Sequence, residues 1–316
     1  MDTVGFIGLG KMGGPVAERI QTAGFPMVVY DVRAEAVAPF IERGARAAAS
    51  PEELARLSNI VYTALPTQES VESTALGQGG ILDGIGKGGI YVDISTGGPD
   101  LIRRIAARFR ERDAWAVDAP VSIGQPGAAP GMHEIMVGAD SDIFERLMPV
   151  LKAYGDQIIH AGPVGNGCIC KLVHQLIGAG CTQAIAEGLS LGVKAGVDVK
   201  VVWEAVRRGL VGRMVMMHDH IPTSVFTGQY EPTVFTLTLL QKDVGIANEL
   251  GRKLGVPLLV GNIAEQVITH SINRGWGNGS GYVVTYRLQE EAAGVSLLAA
   301  GVDPAKSKKY ISTHPD

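Results

Sequence analysis

Hydrophobic residues change their spacing along this chain near residue 162. Before it, short apolar and β-branched runs alternate with charged segments of helical spacing, which predicts strands alternating with helices. The predicted strands are Thr3–Ile7, Met27–Tyr30, Ile60–Leu65, Ile90–Ile94, Ala114–Ala119, Glu134–Val137 and Gln157–His160. The predicted helices are Pro15–Ala23, Pro51–Leu57, Leu101–Arg112 and Ser141–Ala153, with Ser50 and Glu53 as a capping box at Pro51. This alternation favours a mostly parallel sheet covered on both faces.

Beyond Gly162, apolar residues recur three and four positions apart, as in VVWEAVRRG, which predicts helices. The predicted helices are Cys168–Ala195, Val199–Arg208, Thr236–Leu254, Leu258–Arg274 and Tyr282–Gly294. We therefore expect an α/β fold with a doubly wound sheet, followed by an all-α C-terminal domain. The expected domains are residues 1–163 and 164–300, with 301–316 as a polar tail.

The charge balance and the cysteine positions limit the partners and the cellular compartment that we expect. With 28 Lys and Arg against 32 Asp and Glu, the formal net charge of −4 favours neither nucleic acid nor an anionic membrane as a partner. The apolar runs are interrupted well before the roughly 20 residues of a membrane span, and MDTVGFIGLG lacks a basic secretory segment. Cys168, Cys170 and Cys181 share one apolar segment without a disulfide framework. We expect them to be small core residues in a reducing, cytoplasmic compartment.

A glycine-rich turn links the first strand to the first helix in TVGFIGLGKMGGPVA. Gly8 permits the tight turn, Gly10 lets the backbone approach a pyrophosphate, and Gly13 lets helix and strand pack closely. The amides of this turn and the helix N-terminus would bind the phosphates of a dinucleotide. The expected cofactor-binding residues here are Gly8, Leu9, Gly10, Lys11, Met12 and Gly13.

Asp31 ends the second predicted strand about twenty residues after the glycine turn. A carboxylate at that place binds the adenine ribose hydroxyls and repels a ribose 2′-phosphate, so NAD is favoured over NADP. Arg33, two residues later, leaves room for NADP. The alternative for Asp31 is an ordinary turn residue at a strand end.

Small and hydroxyl-bearing residues follow several predicted strands, where ligands bind in open parallel sheets. Leu65 and Pro66 stand in ALPTQ, and Thr96 in DISTGGPD is placed to reach the nicotinamide side of a cofactor. Ser122 and Gly124 in DAPVSIGQPGAAPG can hold an anionic group with the backbone amides between them. The alternative is that these residues are ordinary loop formers and caps.

Lys171 lies near the start of the long predicted helix, on one face with His174 and Gln175. Its neighbours Leu172 and Val173 leave few solvated positions around it, so we expect burial to lower its pKa. A lysine of that kind beside a nicotinamide is suited to general acid–base catalysis. The alternative is a helix lysine that points into water.

The segments GFIGLGKMG, ALPT, DISTGGPD, DAPVS, GNGCICKL and FTLTLLQKD follow one another over residues 3–295. In this order they resemble the β-hydroxyacid dehydrogenases, the group of 3-hydroxyisobutyrate dehydrogenases and tartronate semialdehyde reductases. The resemblance implies a Rossmann-like domain, a long interdomain helix and a helical domain used in oligomerisation, as a homodimer or homotetramer. It also implies roles for single residues: Lys171 as the catalytic lysine, Thr96 and Lys242 as cofactor contacts, Ser122, Ile123 and Gly124 as the substrate-anchoring loop, and Phe235 as the family's phenylalanine.

Three residues depart from the family's commonest pattern. Ile123 replaces a glycine, Gln175 replaces an asparagine, and His174 stands where many members differ. These departures concern the substrate pocket rather than the reaction type. The sequence thus predicts hydride transfer between NAD(P) and a small β-hydroxy acid or its semialdehyde, with Lys171 as the acid–base.

Two other functions remain open alternatives. An imine reductase shares this architecture, although Lys171 argues against it, and a non-catalytic dinucleotide-binding protein can use the same fold. The His218-Asp219-His220 stretch lacks a third ligand, so no metal is expected.

Overall fold

The computed structural model describes residues 1–123, 132–231, 233 and 235–301. The chain separates into two units, Met1–Leu176 and Ile177–Asp316. The division lies inside the long predicted helix, so the first turns of that helix belong to the unit that contains the sheet. The predicted tail beyond residue 301 lies outside the described residues.

One mixed sheet organises the described part of the first unit. Its strands are β1 Val4–Ile7, β2 Met27–Tyr30, β3 Arg46–Ala47, β4 Ile60–Thr63, β5 Ile90–Asp93, β6 Trp115–Asp118, β7 Val121–Ile123, β8 His133–Gly138 and β9 Gly155–Gly162. The strand order is β3-β2-β1-β4-β5-β6-β8-β7, and β9 pairs with β8. Strands β1 to β6 are parallel, whereas β8 is antiparallel to β6 and β7. The connections reverse direction at β1, and ligands bind beside such a reversal, at the carboxyl ends of the strands.

Helices cover both faces of this sheet. They are α1 Gly13–Thr22, α2 Ala34–Glu42, α3 Pro51–Arg56, α4 Gln68–Leu76, α5 Ile81–Gly84, α6 Pro99–Arg110 and α7 Ser141–Tyr154. Successive residues of a strand point to opposite faces, so Tyr62 joins one buried core and its neighbour Val61 joins the other. The doubly wound α/β prediction is confirmed.

Local details differ from the prediction where the sequence signal is short. The strands β3 and β7 and the helices α2, α4 and α5 were not predicted. The elements β3, β7 and α5 are only two to four residues long, α4 contains few apolar residues, and α2 is apolar but contains Pro39. The cap at α3 is partly confirmed: Ser50 accepts a hydrogen bond from the Glu53 amide at 3.1 Å. The Glu53 carboxylate, however, accepts from the Ala49 amide at 2.8 Å, one residue before the position that a capping box requires.

Helices are the main secondary structure of the second unit's described residues, as predicted. After α8 Asn166–Lys194, it contains α9 Val199–Arg208, a π-helix Met216–Val225, α10 Leu237–Leu254, α11 Leu259–Asn273 and α12 Tyr286–Ala293. The π-helix was not predicted, and α12 is shorter than its apolar pattern suggested. A small core of Leu237, Ile268 and Val284 joins α10, α11 and the segment just before α12.

The long helix α8 contradicts the expectation that every apolar run is interrupted well before the length of a membrane span. By length and hydropathy it is sufficient to cross a membrane, with a mean hydropathy of 1.2 over its most apolar window. Its Glu187, however, is buried and accepts hydrogen bonds from the Val260 and Gly261 amides at the start of α11. Such contacts tie α8 to the folded second unit, although only 6% of its most apolar window is buried.

The three cysteines are free, and they differ in burial. Cys168 is buried in the core of the first unit, as expected of a small packing residue. Cys170 and Cys181 are exposed on α8, so the prediction that they are core residues is wrong. The apolar residues around them in the sequence are themselves exposed along much of this helix.

Candidate active site

A cleft of about 530 Å³ opens at the carboxyl ends of β1, β2, β4 and β5. It lies beside the reversal of strand order, where the fold predicts a ligand. Nine of the predicted cofactor residues line it, namely Gly8, Gly10, Lys11, Met12, Gly13, Asp31, Leu65, Pro66 and Thr96. Leu9 takes part through its backbone, as described below.

The three glycines of the turn meet different constraints. Gly8 has a φ of +92°, and a Cβ there would lie 2.3 Å from the Ala64 carbonyl oxygen. A Cβ on Gly13 would lie 1.9 Å from the Gly8 carbonyl oxygen, so α1 can begin this close to β1 only at a glycine. Next to Gly10 the nearest atom is on the Arg33 side chain, 3.8 Å away. The side of Gly10 is therefore open for the close approach of a ligand to the backbone.

Asp31 supports the glycine turn from the end of β2. Its Oδ2 accepts a hydrogen bond from the Leu9 amide at 2.7 Å, and its Oδ1 accepts one from the Arg33 amide at 2.9 Å. Burial alone would raise the pKa of Asp31, but these amides and the Arg33 guanidinium hold it below its ordinary value. The cleft thus presents an ionised carboxylate beside the turn.

A buried polar network holds the loops after β4 and β5. The Asp93 Oδ1 accepts hydrogen bonds from the Thr63 hydroxyl at 2.9 Å and from the Ser95 amide at 3.0 Å. The Ser95 hydroxyl in turn accepts one from the Leu65 amide at 2.9 Å. Burial raises the pKa of Asp93 to about 6. This network fixes Leu65 and the neighbouring Thr96 against the cleft.

Asp118, at the end of β6, anchors the first turn of α8. Its two carboxylate oxygens accept hydrogen bonds from the Gly165 amide at 2.6 Å and the Cys168 amide at 2.7 Å. Only 1% of Asp118 is exposed, and burial raises its pKa, although both amides act in the opposite direction. The segment DAPVS contains this residue, but sequence reasoning gave it no role. A carboxylate that ends a buried strand just before a serine loop was the available signal.

Lys171 is buried near the start of α8, with 5% of its surface exposed. Burial lowers its pKa, as expected, and the negative charge of Glu134 partly opposes this effect. The expected cause of the burial is wrong, because Leu172 and Val173 are themselves exposed. Packing of the first turn of α8 on the sheet buries Lys171 instead.

The strand β7 brings further polar groups to this end of the sheet. The Ser122 Oγ lies 3.4 Å from the Nε2 of His174, while Gln175 is exposed on the same helix. The carbonyl oxygen of Ser122 is 3.0 Å from the Nδ1 of His133, a residue of β8 that sequence reasoning did not single out. Ile123 completes β7 with its backbone, and Gly124 lies outside the described residues.

Two predicted residues belong to the second unit. Lys242 lies on α10, where its Nζ is 3.2 Å from the Asp243 carboxylate. Phe235 stacks on Tyr282 with ring centroids 5.6 Å apart, beside a cavity of about 330 Å³ that His220 also lines.

Sequence comparisons match nearly the whole chain to two domain families. Residues 3–162 match the NAD-binding domain of 6-phosphogluconate dehydrogenase, and residues 165–288 match a domain described as the NAD-binding domain of NADP-dependent 3-hydroxyisobutyrate dehydrogenase.

Curated relatives cover most of the chain and of their own lengths. A probable 3-hydroxyisobutyrate dehydrogenase-like protein of Arabidopsis thaliana is 38% identical, over 83% of this chain and 82% of the relative. The 2-(hydroxymethyl)glutarate dehydrogenase of Eubacterium barkeri is 34% identical, over 93% and 97%. An NAD-dependent L-serine dehydrogenase of Pseudomonas aeruginosa is 32% identical, over 87% and 94%.

Solved structures have the same fold. A 3-hydroxyisobutyrate dehydrogenase of Mycobacterium tuberculosis with L-serine has a TM-score of 0.63 and 26% identity, over 92% of this chain and 99% of the other. An imine reductase of Myxococcus stipitatus with NADP+ has a TM-score of 0.79 but 16% identity, over 91% and 99%. At that identity the second comparison shows the fold alone.

Proposed function

The chain belongs to the β-hydroxyacid dehydrogenase family, and we propose that Lys171 is the general acid–base of its reaction. It is an NAD(P)-dependent dehydrogenase that acts on the CH–OH group of hydroxy acids. We further propose which cofactor is preferred, which residue transfers the proton and which residues hold the acid group of the substrate. The observation that carries it is the burial of Lys171 near the start of α8, about one turn before His174, which contacts Ser122.

The cleft fits a dinucleotide. The open side of Gly10 and the N-terminus of α1 suit a pyrophosphate, and the Asp31 carboxylate suits the ribose hydroxyls. An ionised Asp31 repels a 2′-phosphate, so NAD is the proposed cofactor. When bound, NAD supplies the hydride acceptor for the carbinol carbon.

Lys171 performs the proton transfer in this proposal. In the oxidation direction its neutral amine takes the proton of the substrate hydroxyl; in the reduction direction its ammonium donates one to the carbonyl oxygen. Burial lowers the pKa of Lys171, which makes the neutral form accessible closer to physiological pH. A lysine in water would be protonated almost completely there.

Ser122 and its surroundings hold the acid group of the substrate. The Ser122 hydroxyl, the backbone amides of Ile123 and Gly124, and the side chains of His174 and Gln175 are the proposed contacts. A substrate held there has its hydroxyl directed at Lys171, and this positioning contributes a large part of the rate. The substrate class is a small β-hydroxy acid or its semialdehyde.

The Lys171→Ala variant tests the assignment. Turnover should fall by at least about 100-fold, because proton transfer loses its acid–base. NAD binding, followed by calorimetry, should remain close to that of the unchanged protein. Lys152→Ala is the matched control, since Lys152 is exposed on α7. Full activity of the Lys171→Ala variant would remove the lysine from the mechanism.

A substrate panel tests the substrate class and the cofactor together. It contains β-hydroxy carboxylates, their sulfonate analogues and a cyclic imine, each with NAD and with NADP. We expect activity on β-hydroxy carboxylates and a higher kcat/KM with NAD. Asp31→Ala should reduce that preference. Activity on the imine alone would favour an imine reductase, and no activity at all a non-catalytic dinucleotide-binding protein.

We also propose that the chain forms a homodimer or homotetramer. The helix α9 has no buried residue, and its Trp203 is 52% exposed. Ile263, on α11, is 65% exposed. Several large apolar residues left in water on the helical unit favour association with another copy. Light scattering after gel filtration measures the mass, and a monomer at micromolar concentration would contradict this proposal.

A further inference from the structure

The packing of α8 on β8 brings a second charged side chain to Lys171. A Cβ on Gly167 would lie 2.2 Å from the carbonyl oxygen of Met136, so the first turn of α8 lies directly on β8. Lys171 follows Gly167 by four residues, about 6 Å along a helix, and Glu134 precedes Met136 by two residues, about 6.6 Å along a strand. These two displacements are almost equal, so Lys171 lies above Glu134.

Two further contacts fix the direction of this packing. Glu134 pairs with Ser122 in the antiparallel register of β7 and β8, which places both side chains on the same face. His174 follows Lys171 by three residues on the same face of α8, and its Nε2 lies 3.4 Å from the Ser122 Oγ. Gly167, Lys171 and His174 therefore follow β8 from Met136 towards Glu134 and Ser122.

We propose that Glu134 is a positioning residue of the reaction, whose carboxylate stabilises the ammonium form of Lys171 and so favours proton donation to a semialdehyde. This inference rests on the proposed role of Lys171 as the acid–base. Glu134 does not itself exchange a proton with the substrate. It changes the pH at which Lys171 passes from proton donor to proton acceptor.

The other ionisable groups near Lys171 have different partners. Asp118, from β6, already accepts amide hydrogen bonds on both oxygens. His133, from β8, contacts the Ser122 carbonyl through Nδ1, and His174 on α8 contacts the Ser122 hydroxyl. Among the described residues, Glu134 is the group whose charge acts on Lys171. Its removal leaves the effect of burial unopposed.

Burial and the Glu134 charge act on the pKa of Lys171 in opposite directions. Burial lowers the pKa of Lys171 and the Glu134 charge raises it. A neutral residue at position 134 should therefore lower this pKa further. The oxidation rate should then rise at a lower pH than in the unchanged protein, and the reduction rate should be lost at a lower pH.

The experiment compares Glu134→Gln with Glu134→Asp and Glu145→Gln. Glu145 is exposed on α7, so its substitution removes the same charge from the surface of the same unit. The protein is labelled with [ε-13C]lysine, and NMR titration follows the Lys171 resonance, which is assigned by its loss in Lys171→Ala. The pH profiles of kcat in both directions are measured on the same variants. Glu134→Thr, a strand-favouring residue, is a second neutral variant if the glutamine variant does not fold.

We expect a lower Lys171 midpoint in Glu134→Gln, with both kcat profiles displaced in the same direction. Glu134→Asp and Glu145→Gln should titrate close to the unchanged protein. An unchanged midpoint in both neutral variants overturns this inference and leaves the proposed function intact. Full activity of Lys171→Ala would overturn the proposed function itself, whatever the titration shows.

Discussion

Replacing Asp118 by asparagine tests how the fold places the proposed catalytic lysine. Each carboxylate oxygen of Asp118 accepts one backbone amide of the segment that starts α8, from Gly165 at 2.6 Å and from Cys168 at 2.7 Å. Lys171 comes three residues after Cys168, less than one helical turn away. A loosened first turn should therefore displace Lys171 as well as reduce stability.

The expected loss of stability depends on how many hydrogen-bond acceptors the substitution removes. An asparagine side chain has one oxygen and one NH2 group, so one of the two amides loses its acceptor and faces a donor instead. An unsatisfied buried amide costs about 1–3 kcal/mol. Removal of a carboxylate that is costly to bury offsets part of this loss, consistent with the raised pKa of Asp118. We expect a net loss of about 2 kcal/mol for Asp118→Asn at neutral pH, and a larger loss for Asp118→Ala, which leaves both amides without an acceptor.

Hydrogen exchange measures this effect at the amides concerned. A local loss of about 2 kcal/mol should speed exchange at Gly165 and Cys168 by about 30-fold, since 1.4 kcal/mol corresponds to tenfold. Urea unfolding gives the global stability, and kcat should fall more than KM rises. Asp100→Asn is the control, because the Asp100 side chain is 90% exposed on α6. Unchanged protection of the Gly165 and Cys168 amides in Asp118→Asn would refute the anchoring role.

Two further predictions concern buried carboxylates. Burial raises the pKa of Asp93 to about 6, so the unfolded chain loses this proton at a lower pH than the folded protein. The free energy of unfolding should therefore fall by about 2 kcal/mol between pH 4 and pH 7. Asp93→Asn should reduce that decline in urea titrations at the two pH values; an equal decline would contradict the effect of burial. Glu187→Ala should lower the free energy of unfolding by about 1–3 kcal/mol, because the Val260 and Gly261 amides at the start of α11 lose their acceptor. Glu249→Ala is its control, because Glu249 is exposed on α10. Equal thermal midpoints for the two variants would disprove the capping role.

Local patterns predicted those parts of the fold that depend on neighbours in sequence. The glycine turn is one example, because the spacing of Gly8 and Gly13 encodes both the turn and the close packing that the Cβ contacts demonstrate. The bounds of α9 are a second, since every turn of that helix repeats the apolar spacing. Signals of this kind are complete within about fifteen residues.

Contacts between distant segments were not predictable in the same way. The antiparallel strand β8 pairs with both β6 and β7, and no short pattern states which strands a new one will join. The same limit applies to Asp118 and Glu134, whose partners on α8, Cys168 and Lys171, follow about 50 and 37 residues later. A single carboxylate has no periodicity, and so only the folded chain shows what it contacts.

The residues near Ser122 illustrate how substrate choice can change while the reaction is kept. The groups that fix the cleft and the start of α8, such as Asp93 and Asp118, are buried and fully engaged by the backbone. His174 instead reaches Ser122 through its side chain, while Glu134 pairs with Ser122 in the register of β7 and β8. A substitution at His174 alters charge and shape next to the proposed substrate site without removing a backbone contact that holds the fold. Selection for a different hydroxy acid can therefore act at this position at small cost in stability, while Lys171 and its anchor remain in place.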